Sequence, residues 1–162
     1  AGAASGGCGL LARAVLHRRL QALLIEPSPS NVAQLQGTLQ MNGWDDGAIS
    51  VHQLAVAAES CERKLFVPLA VPALSSLDFS SVGADGWTSV QIQTAPLDKL
   101  SASWLVGIAA RTHASDPNKH CLHFPGFAVG SIDLIVVNTF GSEWRALNGS
   151  SALLSCQVAR VW

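Results

Sequence analysis

Residues 2–9 have the sequence Gly-Ala-Ala-Ser-Gly-Gly-Cys-Gly and come directly before a predicted helix. Glycines let a backbone pass close to a ligand, and the first N–H groups of a helix face such a ligand. Glu26 lies 20 residues after Gly6, at the end of the next predicted strand. Nucleotide-binding α/β folds place an acid at this separation, where it binds both ribose hydroxyls. The spacing favours a nucleotide-like cofactor held by Gly2, Gly6 and Glu26 over a flexible tail followed by a helix-capping acid.

Hydrophobic periodicity around this stretch predicts alternating helices and strands. An apolar stripe of Val32, Leu35 and Leu39 at spacings of three and four is typical of a helix, and alternation over 64–67 and 88–94 is typical of paired strands. In chain order, the predicted elements are a helix over 9–20, a strand over 21–25, a helix from 28 or 30 to 42, a strand over 49–56, an antiparallel pair over 64–67 and 88–94, a strand over 132–137, a helix from 141 and a strand over 157–162. The order is that of an open α/β sheet with an antiparallel elaboration.

Residues 101–130 show little periodicity beyond 104–110 and contain Pro117 and Pro125. We therefore expect a surface insertion there, within a single domain that spans residues 1–162. The chain starts on the glycine-rich stretch and stops inside a predicted strand. From the sequence we expect a partial domain whose first strand precedes Ala1 and whose last strands follow Trp162.

Several motifs resemble those of the FkbM-type family of S-adenosylmethionine-dependent methyltransferases. The opening motif of that family, G-A-N-x-G-x-x-x-L-L-A, is matched by residues 2–12, with Ala4 in place of Asn. Its second motif, E-P-x-P followed by a helix that ends in N-G, is matched by residues 26–29 and 42–43. Three shorter matches are an Ala-Val pair at 55–56, a Ser-Ser-Leu at 75–77 and an L-D-x-L at 97–100.

The resemblance implies a Rossmann-like class I methyltransferase sheet with helices on both faces and an antiparallel hairpin. It also implies that S-adenosylmethionine is the cofactor and that Gly2, Gly6, Glu26 and Ala55 bind it. The implied reaction is O-methyl transfer to a hydroxyl of a small molecule or a glycan.

The segment 132–143 departs from the hallmark of that family, I-D-x-x-K-I-D-V-E-G-x-E. Val136 replaces the lysine, Asn138 the aspartate and Phe140 the glutamate. A carboxylate can take the proton of an acceptor hydroxyl, whereas an amide cannot, although Asn138 can position a substrate through hydrogen bonds. Two alternatives therefore stay open: an active enzyme with Asn138 beside the acceptor, or an impaired methyltransferase fold that serves as a structural or accessory subunit.

Composition limits the other classes of function. Charged residues make up 13% of the chain, against the roughly 25% that is usual, and the net charge is −1 with no charge runs. A nucleic-acid partner is therefore not expected, and no apolar stretch approaches the roughly 20 residues of a membrane-spanning helix. Nicotinamide dinucleotide binding is a weaker alternative because the G-x-G-x-x-G register is absent.

Metal binding is also not expected. The four cysteines form no C-x-x-C pair, and the cluster of His113, His120, Cys121 and His123 matches no familiar zinc spacing. His17 and His52 are interpreted as a helix-end cation and a strand surface residue. If the chain is an accessory subunit, we expect protein partners, because low charge and the aromatic residues of the insertion are typical of interface cores.

Overall fold

Helices and strands alternate in the computed structural model, which describes residues 2–16, 20–71, 75–77, 86–112, 135–139 and 143–155. The helices are α1 (Gly7–Leu16), α2 (Pro29–Met41), α3 (Leu97–Thr112), α4 (Glu143–Asn148) and α5 (Ser151–Ser155), and the strands are β1 (Ala22–Ile25), β2 (Ile49–His52), β3 (Ala55–Val56), β4 (Glu62–Pro68) and β5 (Trp87–Ala95). The predicted α/β class is confirmed, with one parallel and one mixed sheet. The predicted strand over 157–162 lies outside the described residues.

The parallel sheet consists of β1 and β2, in register from Ala22 opposite Ile49 to Ile25 opposite His52. The mixed sheet has the order β3-β5-β4. Its β4 and β5 form the predicted antiparallel pair, which runs from Glu62 opposite Gln93 to Pro68 opposite Trp87. The short strand β3, which follows β2 in the chain, pairs in parallel with the end of β5. This pairing adds β3 to the edge of the hairpin.

Helix α2 follows the predicted apolar stripe. Val32, Leu35 and Leu39 are 4%, 0% and 6% exposed, and the last two pack with Ile49 of β2. Ser28 is the N-cap residue, but its side chain makes no capping hydrogen bond. The helix ends as predicted, because Gly43 adopts a φ of 62° and its N–H donates to the Gln40 carbonyl.

Helix α1 starts at Gly7, two residues before the predicted start, and is described as far as Leu16. Its only basic residue, Arg13, is buried and forms an ion pair with Asp46 in the loop before β2. Leu11, Val15 and Leu16 are instead exposed. The ion pair therefore ties the helix to the loop before β2, in addition to the apolar contact of Leu10 with the cluster around Leu35 and Ile49.

Residues 101–112, at the start of the segment expected to be a surface insertion, belong to α3. Leu100 and Ser101 are 8% and 2% exposed, so the first turns of this helix lie in the core. Small and β-branched residues in its second half weaken the helical periodicity, whereas packing at its first turn fixes the helix. Residues 113–130 lie outside the described part of the chain.

Asp98, within the L-D-x-L motif, joins α3 to α5. Its two carboxylate oxygens accept hydrogen bonds from the backbone N–H groups of Ala152, at 3.0 Å, and Leu153, at 2.8 Å. A carboxylate is favourable at a helix N-terminus, where the first N–H groups lack helical partners. The predicted helix after residue 141 is accordingly split, since α4 ends before Gly149 and α5 starts at Ser151 under this cap.

Within the described part of the chain, the core consists of three clusters. The largest joins Ile25, Val56 and the start of α3 to Ala146 and Leu153 of the last two helices. A second lies between α2 and the β1–β2 sheet, and a third between β3 and the hairpin. Ile135 and Val137 pack against the largest cluster. Of the predicted strand over 132–137, the described part contains a single β-bridge at Ile135 and then extended chain without regular pairing.

Candidate functional site

The glycine-rich loop is attached to the carboxyl end of β1. The N–H groups of Gly2 and Ala3 both donate to the carbonyl of Ile25, at 2.9 and 3.0 Å. The N–H of Gly6 then donates to the Ala3 carbonyl, and α1 begins at the next residue. Ala4 has a φ of 48°, in the left-handed region that alanine rarely adopts. The loop is therefore a tight turn across the end of the strand.

Glu26 is buried at 4% exposure and holds this loop to the start of α2. Its Oε2 accepts a hydrogen bond from the Ala4 N–H at 2.7 Å. Its Oε1 accepts one from the Ser28 N–H at 3.0 Å and one from the Asn31 side-chain amide at 3.1 Å. A carboxylate offers about four lone-pair positions, so these three donors leave room for about one more.

Gly2 also brings in a segment distant in sequence. A Cβ at position 2 would overlap the carbonyl oxygen of Asn138 and would lie 2.7 Å from its carbonyl carbon. The φ of Gly2 is 72°, a second reason why other residues are disfavoured there. The loop backbone therefore lies directly between the end of β1 on one side and residues 138–139 on the other.

These segments surround a cleft at the carboxyl end of β1, the edge where open α/β sheets bind ligands. The cleft is lined by Gly2, Ala4, Ile25, Glu26, Pro27, Leu54, Ala55, Val56, Leu65, Ser75, Leu77, Asn138 and Thr139. It encloses about 50 Å³, which is room for a few water molecules at about 10–15 Å³ each.

The cleft unites four of the five residues predicted for the site, namely Gly2, Glu26, Ala55 and Asn138. Gly6 is buried beneath Leu10 and Leu35 and does not line the cleft. Its role in binding stays a prediction, as do those of the other four. The Ser-Ser-Leu motif also contributes, because Ser76 forms a β-bridge with Phe66 and thereby places Ser75 and Leu77 at the cleft.

Thr139 is a cleft residue that the sequence analysis missed. Burial alternates along residues 135–139, where Ile135, Val137 and Thr139 are half-buried while Val136 and Asn138 are exposed. Glu143 fixes the end of this segment, because its Oε1 accepts a hydrogen bond from the Thr139 N–H at 2.9 Å. The period-two pattern of a strand, extended past Val137, would have pointed to Thr139.

Away from the cleft, Cys61 has polarised surroundings. Its Sγ lies 3.3 Å from the Thr94 hydroxyl and 3.4 Å from the Arg63 Nε–H, which donates to it. The Thr94 hydrogen bond first, and the Arg63 hydrogen bond second, lower the pKa of the Cys61 thiol.

Among the described residues, no group of three or more His, Cys, Asp or Glu side chains could hold a metal ion. The His113–His123 cluster and Cys121 lie outside that part, as does His17, while His52 is half-buried in β2.

Comparison with solved structures identifies one relative in fold. A methyltransferase FkbM from Methylobacillus flagellatus matches 97% of this chain with a TM-score of 0.54 and 17% sequence identity. The chain has an FkbM-like methyltransferase fold. It spans 29% of the length of that FkbM chain. No family model and no curated protein matches the sequence. The resemblance inferred from the motifs is thus confirmed at the level of the fold.

The residues of the cleft fit one part of S-adenosylmethionine. A ribose hydroxyl can donate to the remaining position on Glu26, and the loop at Gly2 and Ala4 has no bulky side chain to block a close approach. The aliphatic side chains of Leu54, Val56 and Leu77 supply an apolar wall. The spacing suggested that Glu26 binds both ribose hydroxyls. Three internal donors already occupy most of the lone-pair positions of its carboxylate, and the position that remains accepts one hydroxyl and not two.

Across the described residues, no helix is both long and apolar enough to span a membrane.

Proposed function

We propose that this chain is the S-adenosylmethionine-binding part of an FkbM-like methyltransferase domain, with a Rossmann-like class I sheet. The observation that carries the proposal is the junction of Gly2, Glu26 and Asn138 around one cleft at the carboxyl end of β1. The chain's similarity in fold to the Methylobacillus FkbM methyltransferase supports it.

Each group at the cleft has a role in this proposal. Glu26 accepts a hydrogen bond from a ribose hydroxyl, and the backbone at Gly2 and Ala4 allows the cofactor to approach closely. Ala55, buried at 6% exposure, provides a small surface against the nucleoside. The cofactor, when bound, supplies a methyl group for an acceptor hydroxyl of a small molecule or a glycan, and Asn138 orients that hydroxyl by hydrogen bonding.

A second candidate function is a cofactor-binding or structural subunit without efficient methyl transfer. The observation in its favour is that Glu26 is the sole ionisable residue among the described residues that line the cleft, and three hydrogen bonds already engage its carboxylate. Deprotonation of a hydroxyl acceptor needs a base within hydrogen-bond reach. In this alternative, the domain binds protein partners instead of a small methyl acceptor.

Titration calorimetry on the full-length protein tests cofactor binding. We expect binding of S-adenosylhomocysteine and no binding of NAD. Glu26→Ala should lower the affinity by about tenfold to a hundredfold, the equivalent of one charge-assisted hydrogen bond. Asn31→Ala is the matched control, because it removes one donor to Glu26 while the carboxylate stays, and its affinity should stay within about threefold. Binding that is equal in wild type and Glu26→Ala would contradict the assignment.

Methyl transfer separates the two candidates. Labelled S-adenosylmethionine is supplied to the full-length protein with a panel of hydroxyl-bearing acceptors. Turnover that disappears in Glu26→Ala supports the enzyme. Cofactor binding without turnover, followed by a gain of activity in Asn138→Asp, supports the impaired fold, since the carboxylate restores a base at that position.

A further inference from the structure

The Thr139 hydroxyl is a buried polar group that lacks a hydrogen-bond partner among the described residues. Large majorities of buried side-chain polar atoms in folded proteins have a partner, and an unpaired one costs free energy through lost hydration. The hydroxyl belongs to a residue that lines the candidate cleft. A ligand that reaches this hydroxyl would give it a partner.

The position of Thr139 is fixed from two directions. Its backbone N–H donates to Glu143 at 2.9 Å, and the preceding carbonyl, of Asn138, lies against Gly2. Burial alternates over 135–139, where Thr139 is half-buried and Asn138 is exposed. The backbone at Thr139 is thus held in place before any ligand binds, which lowers the entropic cost of the contact.

The loop at Gly2 separates Thr139 from Glu26. Gly2 donates to the carbonyl of Ile25, next to Glu26, and its Cα packs on the carbonyl of Asn138, next to Thr139. A ligand that reaches both side chains must therefore cross the loop and carry two separated polar groups. S-Adenosylmethionine has this form, because its ribose hydroxyls and its amino-acid group lie on opposite sides of the sulfonium.

Resting on the function proposed above, we infer that the Thr139 hydroxyl binds the amino-acid end of the cofactor while Glu26 binds its ribose. Thr139 is in this way a specificity-determining residue that distinguishes the complete cofactor from its nucleoside part. The FkbM hallmark has valine at the matching position, so the hydroxyl is a feature of this chain. No bond is made or broken in this role.

The test compares two ligands in titration calorimetry on the full-length protein. S-Adenosylhomocysteine carries the amino-acid end, and methylthioadenosine lacks it. Thr139→Val preserves the shape of the side chain and removes the hydroxyl. We expect this variant to lose about tenfold in affinity for S-adenosylhomocysteine, the equivalent of one hydrogen bond, and to bind methylthioadenosine within about twofold of wild type. Thr139→Ser, which keeps a hydroxyl, should stay within about threefold for both ligands.

Thermal unfolding without ligand gives an independent readout. Because the hydroxyl has no partner among the described residues, Thr139→Val should raise the melting temperature while it weakens binding. A merely structural hydroxyl would give the opposite sign. A lower melting temperature of the valine variant, unchanged affinity for S-adenosylhomocysteine, or an equal loss for methylthioadenosine would each overturn the inference. Wild-type protein that binds neither ligand would instead overturn the proposed function, and this inference with it.

Discussion

Replacement of Glu26 by glutamine should destabilise the fold even without a cofactor. The carboxylate accepts hydrogen bonds from Ser28 and Asn31 on one oxygen and from Ala4 on the other. In Glu26→Gln one amide oxygen can keep the first pair, but the amide NH₂ then faces the Ala4 N–H. A buried donor is left opposite another donor, and a hydrogen bond to a charged group is lost.

The expected cost follows from these contacts. One lost charge-assisted bond is worth about 1.5–3 kcal/mol, so Glu26→Gln should lower the free energy of unfolding by about 2–3 kcal/mol. Glu26→Ala loses all three bonds and should cost about 3–5 kcal/mol, within the range for broken buried charged networks. Asn31→Ala loses a single bond and should cost about 1–2 kcal/mol, so it serves as the control.

Denaturant unfolding of the full chain, followed by tryptophan fluorescence, measures the three variants. The order Asn31→Ala, Glu26→Gln, Glu26→Ala, from least to most destabilised, is the required result. A loss below about 0.5 kcal/mol in Glu26→Gln would refute the reasoning, because a surface substitution costs no more than that. The affinities of Glu26 variants are therefore measured at a temperature where circular dichroism shows them folded.

Three further predictions concern the loop and the thiol. Gly2→Ala should destabilise by about 3 kcal/mol or more in denaturant unfolding, because its Cβ overlaps the Asn138 carbonyl. The control Gly43→Ala has a similar φ of 62° but open space around it, and should cost only about 1–2 kcal/mol; equal losses would disprove the overlap. Ala4→Asn should stabilise by about 0.5–1 kcal/mol, since asparagine tolerates the left-handed backbone better than alanine, and a lower melting temperature would contradict this. Alkylation of Cys61, followed by peptide mass spectrometry, should start at a lower pH than for an ordinary thiol, because its pKa is lowered. Arg63→Gln should move that profile to higher pH, and an unmoved profile would count against the Arg63 contact.

Local patterns in the sequence were sufficient for elements whose core contacts are regular. The stripe of Val32, Leu35 and Leu39 predicted α2, and strict alternation predicted the β4–β5 hairpin, because a single buried face leaves its period in the sequence. The spacing from Gly6 to Glu26 likewise placed a buried acid beside a glycine loop. The motifs anticipated the FkbM-like fold through the same local features.

Long-range contacts decided what the patterns could not. Helix α3 runs into the segment expected to be an insertion, because burial of Leu100 and the Asp98 cap of α5 stabilise a helix of weak periodicity. The inward orientation of Arg13 depends on Asp46, which is distant in sequence.

At the cleft, the sequence by itself supplied the residue types, whereas only tertiary structure decided their partners. Glu26 is engaged by three donors from a loop and a helix, and its remaining capacity depends on all three positions in space. Asn138 meets Gly2 across 135 intervening positions through its backbone carbonyl, an atom that every residue type has and that the sequence therefore cannot single out. That the Thr139 hydroxyl has no partner among the described residues was likewise shown only by the structure, because hydrogen-bond satisfaction is a property of the packed chain and not of any local stretch.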